Sequence, residues 1–187
     1  MILNDVGDQR RTTSKPPIEP MIRDATSADI HAITDIYNAI IPTTTIAWTE
    51  NLQTPEQRGG WFAKQQQENF PVLVATENES NEVIGFASYS HFRGAGVWPG
   101  YRFTVEHTIH IRKQFWGQGI GRALMIALLD RGKSAGMHVM VGALDGENSS
   151  SLLFHQRLGF TEVGRMPEVG FKFGRRLDLV LVQKILD

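Results

Sequence analysis

The segment WGQGIG, residues 116–121, lies between a stretch typical of a β-strand, residues 102–111, and one typical of an amphipathic helix, residues 119–131. Its glycines at alternate positions let backbone N–H groups approach an anion closely. The helix that follows adds its unpaired N–H groups and the positive end of its dipole. Strand, loop and helix together predict a pyrophosphate-binding loop in an α/β protein.

Two well-known phosphate-binding motifs do not fit this loop. A dinucleotide-binding fold needs G-x-G-x-x-G and an acidic residue about 20 positions further on, and a P-loop needs G-x-x-x-x-G-K-[ST]. Here the spacing is G-x-G-x-G over residues 117–121, and no lysine follows it. For the loop alone, a glycine-rich turn that binds nothing remains the alternative.

Outward from the loop, hydrophobic periodicity and turn residues predict six strands and four helices. The strands are predicted at residues 21–23, 72–75, 83–87, 102–111, 139–144 and 177–185, and the helices at 28–41 (with Ser27 as N-cap), 55–69, 119–131 and 149–158. Residues 91–100 are predicted to form a loop. The order β-α-α-β-β-β-α-β-α-β indicates a mixed α/β sheet covered by helices.

Composition is typical of a globular protein, with 41% apolar and 21% charged residues in a chain of 187. We expect a single domain over residues 20–187 and a loose extension over residues 1–19, which are polar. A formal net charge of −1 gives no overall field that would attract nucleic acid or an anionic membrane. Cysteine is absent, which excludes disulfides and thiolate nucleophiles and is compatible with the cytoplasm.

Three further segments sharpen the interpretation: TVEHT at residues 104–108, a helix-to-strand stretch at 148–160, and VGFKFG at 169–174 followed by Asp178. With the glycine loop, they resemble the GNAT superfamily of N-acetyltransferases, in the branch that acetylates phosphinothricin and methionine sulfoximine. The resemblance covers about residues 22–185. One departure is Trp116, which stands where the family usually has Gln or Arg.

The resemblance implies a GNAT fold, a mixed and mostly antiparallel sheet splayed between strands 4 and 5 and flanked by about four helices. It implies acetyl-CoA as co-substrate, no metal, and a homodimer. A bulge near Glu106 or His107 is expected to open the sheet. The residues expected to hold acetyl-CoA are Ile109, His110, Ile111, Trp116, Gly117, Gln118, Gly119, Ile120, Gly121 and Asn148.

Two residues are expected to carry the chemistry. Only a neutral amine attacks a thioester, so an ammonium group must first lose a proton, and the resemblance assigns that step to Glu106. His155 is expected to act as general acid toward the departing thiolate. The alternatives are a glutamate on a solvated strand face and a histidine on a helix surface. His107 and His110 fall on opposite strand faces, so they predict no metal site.

Acceptor binding is assigned to the loop that runs from Phe92 to Tyr101, and to two residues from elsewhere in the chain, Trp48 and Lys172. Arg93 can grip the carboxylate of an amino acid with two parallel hydrogen bonds. The full set expected to contact substrate is Phe92, Arg93, Trp98, Tyr101 and Lys172, with Trp48 facing the same pocket. A surface arginine in a loop is the ordinary alternative for Arg93.

These expectations amount to an acetyl-CoA-dependent N-acetyltransferase that acts on the α-amino group of a small amino acid. The acetyl group is expected to pass directly to the amine in a ternary complex, since no covalent acyl-enzyme is needed. Two alternatives stay open. One is an acetyltransferase for peptide or protein N-termini, and the other is a non-catalytic acyl-CoA-binding module.

Overall fold

A computed structural model describes residues 19–93 and 98–186. Its strands are β1 (Met21–Asp24), β2 (Val72–Thr76), β3 (Val83–His91), β4 (Thr104–Ile111), β5 (Val139–Asp145), β6 (Thr161–Lys172) and β7 (Arg175–Ile185). Its α-helices are α1 (Ile30–Ile40), α2 (Pro55–Gln67), α3 (Ile120–Ser134) and α4 (Ser149–Arg157). The predicted extension lies outside the described residues except for Glu19, as do residues 94–97 of the predicted loop.

The seven strands form one sheet in the order β1-β2-β3-β4-β5-β7-β6. Neighbouring strands are antiparallel except for β4 and β5, which are parallel. The predicted mixed, mostly antiparallel α/β sheet with four helices is confirmed. Among the described residues, no helix is long and apolar enough to cross a membrane.

The sequence-based prediction missed strand β6. Gly164, Pro167 and Gly170 interrupt its pattern, and these residue types usually end a strand. The structure accommodates them because β6 is an edge strand paired only with β7, with register shifts at Glu162/Gly164 and Met166/Gly170. Most of its side chains are exposed, so the alternation of buried and exposed positions that would indicate a strand is missing.

Helix starts are set by side-chain caps, one of which was predicted at the wrong residue. Thr26, and not Ser27, begins the first helical segment, because Thr26 and Asp29 hydrogen-bond reciprocally around a short 3-10 turn that precedes α1. The predicted capping box of α2 is confirmed, with Thr54 and Gln57 bonded to each other's backbone N–H groups.

Helices cover both faces of the sheet. On one face α1 and α2 pack through Ile33, Ile36 and Phe62 against buried side chains of β2 and β3. On the other face α3 packs through Leu124 and Leu128 against the same strands and β4, while α4 lies beside it. Side chains of β4 alternate between these faces, so the odd-numbered ones face α3 and α4 and the even-numbered ones face α1 and α2.

The sheet opens between β4 and β5, as predicted. The two strands pair only over three residues, from Thr104↔Val139 to Glu106↔Val141. Beyond Glu106 each strand continues with its other neighbour alone, which leaves a gap in the middle of the sheet. The expected bulge at Glu106 or His107 is absent, since β3 and β4 pair in unbroken register from Gly85↔Ile111 to His91↔Val105.

Candidate active site

Two cavities meet at the gap between β4 and β5. The larger has a volume of about 950 Å³ and runs from the gap along the 116–121 loop and α4. The smaller, of about 350 Å³, extends toward α1 and the segment that follows it. They share wall residues, among them Ile109, Asp145 and His155. A molecule in one cavity can therefore contact a molecule in the other through the sheet.

The predicted phosphate loop lines the larger cavity. Gly117 and Gly119 have φ angles of 75° and 83°, in the left-handed region that glycine adopts without strain. A Cβ atom at either position would meet no other atom within 4 Å, so both glycines border open space. Gly119 is also the N-cap of α3. This arrangement leaves backbone N–H groups and the positive helix end available to an anion.

Three neighbours of these glycines make contacts with the protein itself. Gly121 is needed for packing, because a Cβ there would lie 2.9 Å from Cδ1 of Ile111 and so push α3 away from β4. Trp116 lies on the cavity wall, and its indole N–H donates to the Ile111 carbonyl at 2.8 Å, which fixes the loop to the end of β4. Gln118 lines neither cavity and donates instead to the Gln114 carbonyl.

The other residues expected to hold acetyl-CoA lie on the wall of the larger cavity. Just after β4 the Arg112 N–H donates to the Ile84 carbonyl, and at the other end of the strand the Thr104 carbonyl accepts from the Phe92 N–H. Every second residue of a strand bonds to the same neighbour, so the even-numbered residues of β4 hydrogen-bond with β3. The backbone N–H and C=O of Ile109 therefore point into the gap. In this orientation they can pair with the amides of an extended ligand.

Buried histidines meet beside the gap. His155 Nδ1 lies 2.7 Å from the Ser151 carbonyl, which can only accept, so that nitrogen carries a proton. Its Nε2 lies 3.2 Å from His107 Nε2. When both rings are neutral, His107 therefore donates from Nε2 to His155 Nε2. The Nδ1 atom of His107 is buried without a hydrogen-bond partner. Burial lowers the pKa of His155, and burial with the neighbouring histidines lowers the pKa of His107 to about 3.

Glu106 lies where the parallel pairing ends. Its side chain is half-buried, and burial raises the pKa of its carboxyl group above the usual range. It shares a strand face with Thr108, which lines the smaller cavity, but Glu106 itself lines neither cavity. Two residues along a strand span about 7 Å, so one water molecule can bridge Glu106 to that wall.

Lys172 is not placed to bind substrate, which corrects that prediction. Its side chain is 1% exposed and lines neither cavity. The ammonium group donates to the carbonyls of Ile41, Thr44 and Ala47 at 2.7, 2.7 and 2.6 Å. Since an ammonium group has three protons, none is left for a ligand. The three carbonyl partners lie about 130 residues earlier in the chain, so no local pattern around Lys172 reveals them.

Of the other residues predicted to bind the acceptor, Trp48 lines the smaller cavity, while those of the 92–101 loop line neither cavity. Phe92 and Tyr101 pack edge to face with ring centroids 5.5 Å apart, and the Arg93 guanidinium lies 5.9 Å from the Phe92 ring centroid. Trp98 is 62% exposed. The residues of this loop therefore contact one another, but they do not line the cavities at the gap between β4 and β5.

Several wall residues were missed by the sequence analysis. Tyr37 of α1 lines the smaller cavity and packs edge to face on His110 at 5.5 Å. Burial and the nearby Arg58 lower the pKa of His110 to about 4. Basic residues on the wall of the larger cavity favour phosphate groups, and they are Arg122, Arg157 and Arg175. Helical position was the available signal for two of them, since Arg122 is in the first turn of α3 and Arg157 in the last turn of α4, whereas Arg175 begins strand β7.

Comparison with known proteins agrees with this geometry. A sequence profile of the acetyltransferase (GNAT) family matches residues 33–160. The chain belongs to the GNAT acetyltransferase family. It is 42% identical over 166 residues to an L-methionine sulfoximine/L-methionine sulfone acetyltransferase of Pseudomonas aeruginosa, covering 89% of this chain and 94% of that one.

Solved structures of GNAT enzymes superpose closely on the chain. A phosphinothricin acetyltransferase from Sinorhizobium meliloti in complex with acetyl-CoA matches with a TM-score of 0.84 and 34% identity, covering 89% of this chain and 88% of that one. A ribosomal-protein-alanine N-acetyltransferase from Brucella melitensis matches with a TM-score of 0.84 and 37% identity, covering 89% and 99%.

The GNAT enzyme is an N-acetyltransferase with acetyl-CoA as donor, and its larger cavity fits that co-substrate. Left-handed glycines at a helix start suit the pyrophosphate, and the Ile109 backbone suits the amides of the pantetheine arm. Within the described residues, no group of three or more His, Cys, Asp or Glu side chains could hold a metal ion.

Proposed function

We propose that the enzyme acetylates the α-amino group of a small amino acid or analogue of the methionine sulfoximine or phosphinothricin type. The observation that carries this proposal is the smaller cavity at the gap in the sheet. Its volume of about 350 Å³ suits a small molecule, and aromatic and polar groups share its wall, among them Tyr37, Trp48 and Thr108. The similarity to the Pseudomonas enzyme supports the same acceptor class.

In this proposal Glu106 removes the proton from the acceptor ammonium through one water molecule. Its raised pKa brings the carboxylate closer to the basicity that the step requires. Acetyl-CoA supplies the thioester from the larger cavity. The Ile109 backbone orients that arm at the gap, where a wall shared by both cavities brings donor and acceptor together.

His155 is proposed as the second polar side chain at the reacting centre, since it lines both cavities. With its proton on Nδ1 and its pKa lowered by burial, it is neutral at physiological pH. It can act as a general acid only after a proton reaches Nε2, which now faces His107. We therefore propose Glu106 as the principal proton-transfer group.

Transfer to a peptide N-terminus is the second candidate, because the Brucella structure carries that description. A peptide needs a groove that is open at one end. Residues 46–49 line the smaller cavity beside Tyr37 of α1, and its volume of about 350 Å³ favours a free amino acid over a peptide.

The test is release of coenzyme A thiol from acetyl-CoA by the purified enzyme. L-methionine sulfoximine, L-methionine sulfone and phosphinothricin are the acceptors, and their N-acetylated forms serve as blocked controls. We expect turnover with the free α-amines and none with the blocked forms. Turnover only with peptides would establish the second candidate, and binding of acetyl-CoA without any turnover would indicate a non-catalytic module.

We also propose a homodimer and a cytoplasmic location. Edge strand β6 exposes apolar side chains that a second copy could cover, namely Val163, Met166, Val169 and Phe171. The location follows from the co-substrate, which is a metabolite of the cell interior. Sedimentation of the purified enzyme and of a Phe171→Asp variant tests the dimer, since the charged variant is expected to sediment as a monomer.

A further inference from the structure

Residues 41–49, the first part of the segment that joins α1 to α2, form part of the wall of both cavities. It contains no helix or strand, so its own hydrogen bonds fix it only weakly. Its shape depends on contacts with later strands of the chain. One contact comes from β5, where the Thr45 hydroxyl donates to the Asp145 carboxylate, and the others come from β6, the strand at the edge of the sheet.

The main contact is the buried ammonium group of Lys172. It donates one proton to each of three carbonyls, those of Ile41, Thr44 and Ala47, at distances of 2.6 to 2.7 Å. Three donors and three acceptors match completely, and this fixes the path of the backbone over seven residues. The last of the three carbonyls immediately precedes Trp48.

A second contact fixes Trp48 itself. A Cβ atom at Gly170 would lie 2.4 Å from Cζ3 of Trp48, so the indole ring packs directly on the glycine backbone. Any larger residue at that position would displace the ring. Gly170 and Lys172 lie two residues apart on β6, and together they hold Trp48 on the wall of the smaller cavity.

We propose that Lys172 is a positioning residue for the acceptor: it holds residues 41–49 so that Trp48 closes the smaller cavity around a free amino acid. This inference rests on the proposed function, because it assigns the smaller cavity to the acceptor. The donor is held mainly by the 116–121 loop and the start of α3, which Lys172 does not touch. Loss of Lys172 therefore weakens acceptor binding more than donor binding.

The first test compares Lys172→Met with wild type, and uses Arg176→Met as a matched control. Arg176 is exposed on the same hairpin and lines neither cavity. We expect the KM for L-methionine sulfoximine to rise about ten- to a hundredfold in Lys172→Met, since small displacements of a binding wall have effects of this size. The Kd of acetyl-CoA should change less than about threefold, and the control should match wild type.

The absence of cysteine from the sequence allows a chemical rescue. In Lys172→Cys the new thiol is the one site for alkylation by bromoethylamine in the unfolded chain, which restores an ammonium group on a side chain of nearly lysine length. After refolding, the aminoethylated variant should recover the acceptor KM. Wild type carried through the same treatment controls for refolding losses. Because alkylation restores the bulk of the side chain together with its charge, Lys172→Met, which keeps the bulk without the charge, separates packing from the ammonium group.

Hydrogen–deuterium exchange tests the anchoring without any acceptor, so it separates failure of this inference from failure of the proposed function. Amides of residues 41–49 should exchange faster in Lys172→Met, while those of β5 keep their wild-type rates.

If that variant does not fold, Gly170→Ala displaces Trp48 with the ammonium group intact, and it should also raise the acceptor KM. Wild-type exchange in Lys172→Met, an unchanged acceptor KM in either variant, or equal losses for donor and acceptor would overturn the proposal.

Discussion

The imidazoles of His107 and His155 lie stacked beside the gap in the sheet, with ring centroids 5.0 Å apart and their Nε2 atoms 3.2 Å apart. Only one proton fits between two nitrogens at that distance. The Ser151 carbonyl holds the His155 proton at Nδ1, so the shared proton belongs to His107. A residue on β4 and one on α4 thereby fix each other's tautomers.

This arrangement predicts that both histidines stay neutral in the folded enzyme. Nitrogen NMR of the labelled protein should show His155 protonated at Nδ1 and His107 at Nε2 from about pH 7 to about pH 8. The physical reason is burial, which lowers both pKa values, that of His107 to about 3. A doubly protonated ring at either position in this range would contradict the assignment and would favour His155 as an acid.

Glu106→Gln should lower kcat by roughly two to four orders of magnitude near neutral pH, because the amide cannot take up a proton. Part of the rate should return at high pH, where more of the acceptor is already a free amine. Steady-state rates over a pH series measure this. Turnover close to wild type at every pH would make Glu106 a structural residue of the strand.

The same variant should not lose stability at neutral pH. The folded-state pKa of Glu106 is raised, so folding favours its neutral form, and the carboxyl group opposes folding increasingly as pH rises through that pKa. Glutamine removes this unfavourable charge. Thermal unfolding should give a Tm at or above that of wild type, and a clear loss of Tm would point to a stabilising contact of the carboxylate.

Gly119→Asp should weaken acetyl-CoA binding by placing a negative side chain in the open space beside the phosphate loop. Gly119→Asn is the matched control, since Asn and Asp tolerate the left-handed backbone to a similar degree. Calorimetry should therefore show a much larger loss for Asp than for Asn. Equal Kd values would mean that no anion binds at this helix start.

Arg93→Ala tests the predicted grip on the acceptor carboxylate, which lies outside both cavities in this structure. If Arg93 holds the carboxylate, kcat/KM for amino acids should fall about ten- to a hundredfold, while amines without a carboxylate change little. Parallel kinetics with an amino acid and its decarboxylated amine separate the two cases. Equal effects on both acceptors would remove Arg93 from the site.

Much of the fold could be predicted because its elements carry local signals. The capping box at Thr54 and the glycines before α3 mark element boundaries within a few residues of chain. Strand β6 could not be predicted in this way, because it is stabilised by pairing with β7 and by contacts with residues 41–49. Such long-range contacts override the strand-breaking tendency of Pro167 and Gly170.

The candidate site likewise has one part that local sequence predicts and one part that depends on long-range contacts. The phosphate loop is a continuous segment, and the sequence indicates both its position and its ligand class. The smaller cavity combines Tyr37, Trp48, Thr108 and His155 from four separate parts of the chain. Lys172 illustrates the difficulty, since a lysine near a substrate site suggests a ligand, and only the three carbonyls around it reveal an anchor.

The most direct test of the central claim is a comparison of kcat/KM for L-methionine sulfoximine and for a short peptide that begins with alanine. Both are measured with the same enzyme at saturating acetyl-CoA, and the products are identified by mass spectrometry. The small volume of the smaller cavity predicts N-acetyl-L-methionine sulfoximine as product and a preference of at least about tenfold over the peptide. Equal or better turnover of the peptide, or no acetylation of the free amino acid, would contradict the account.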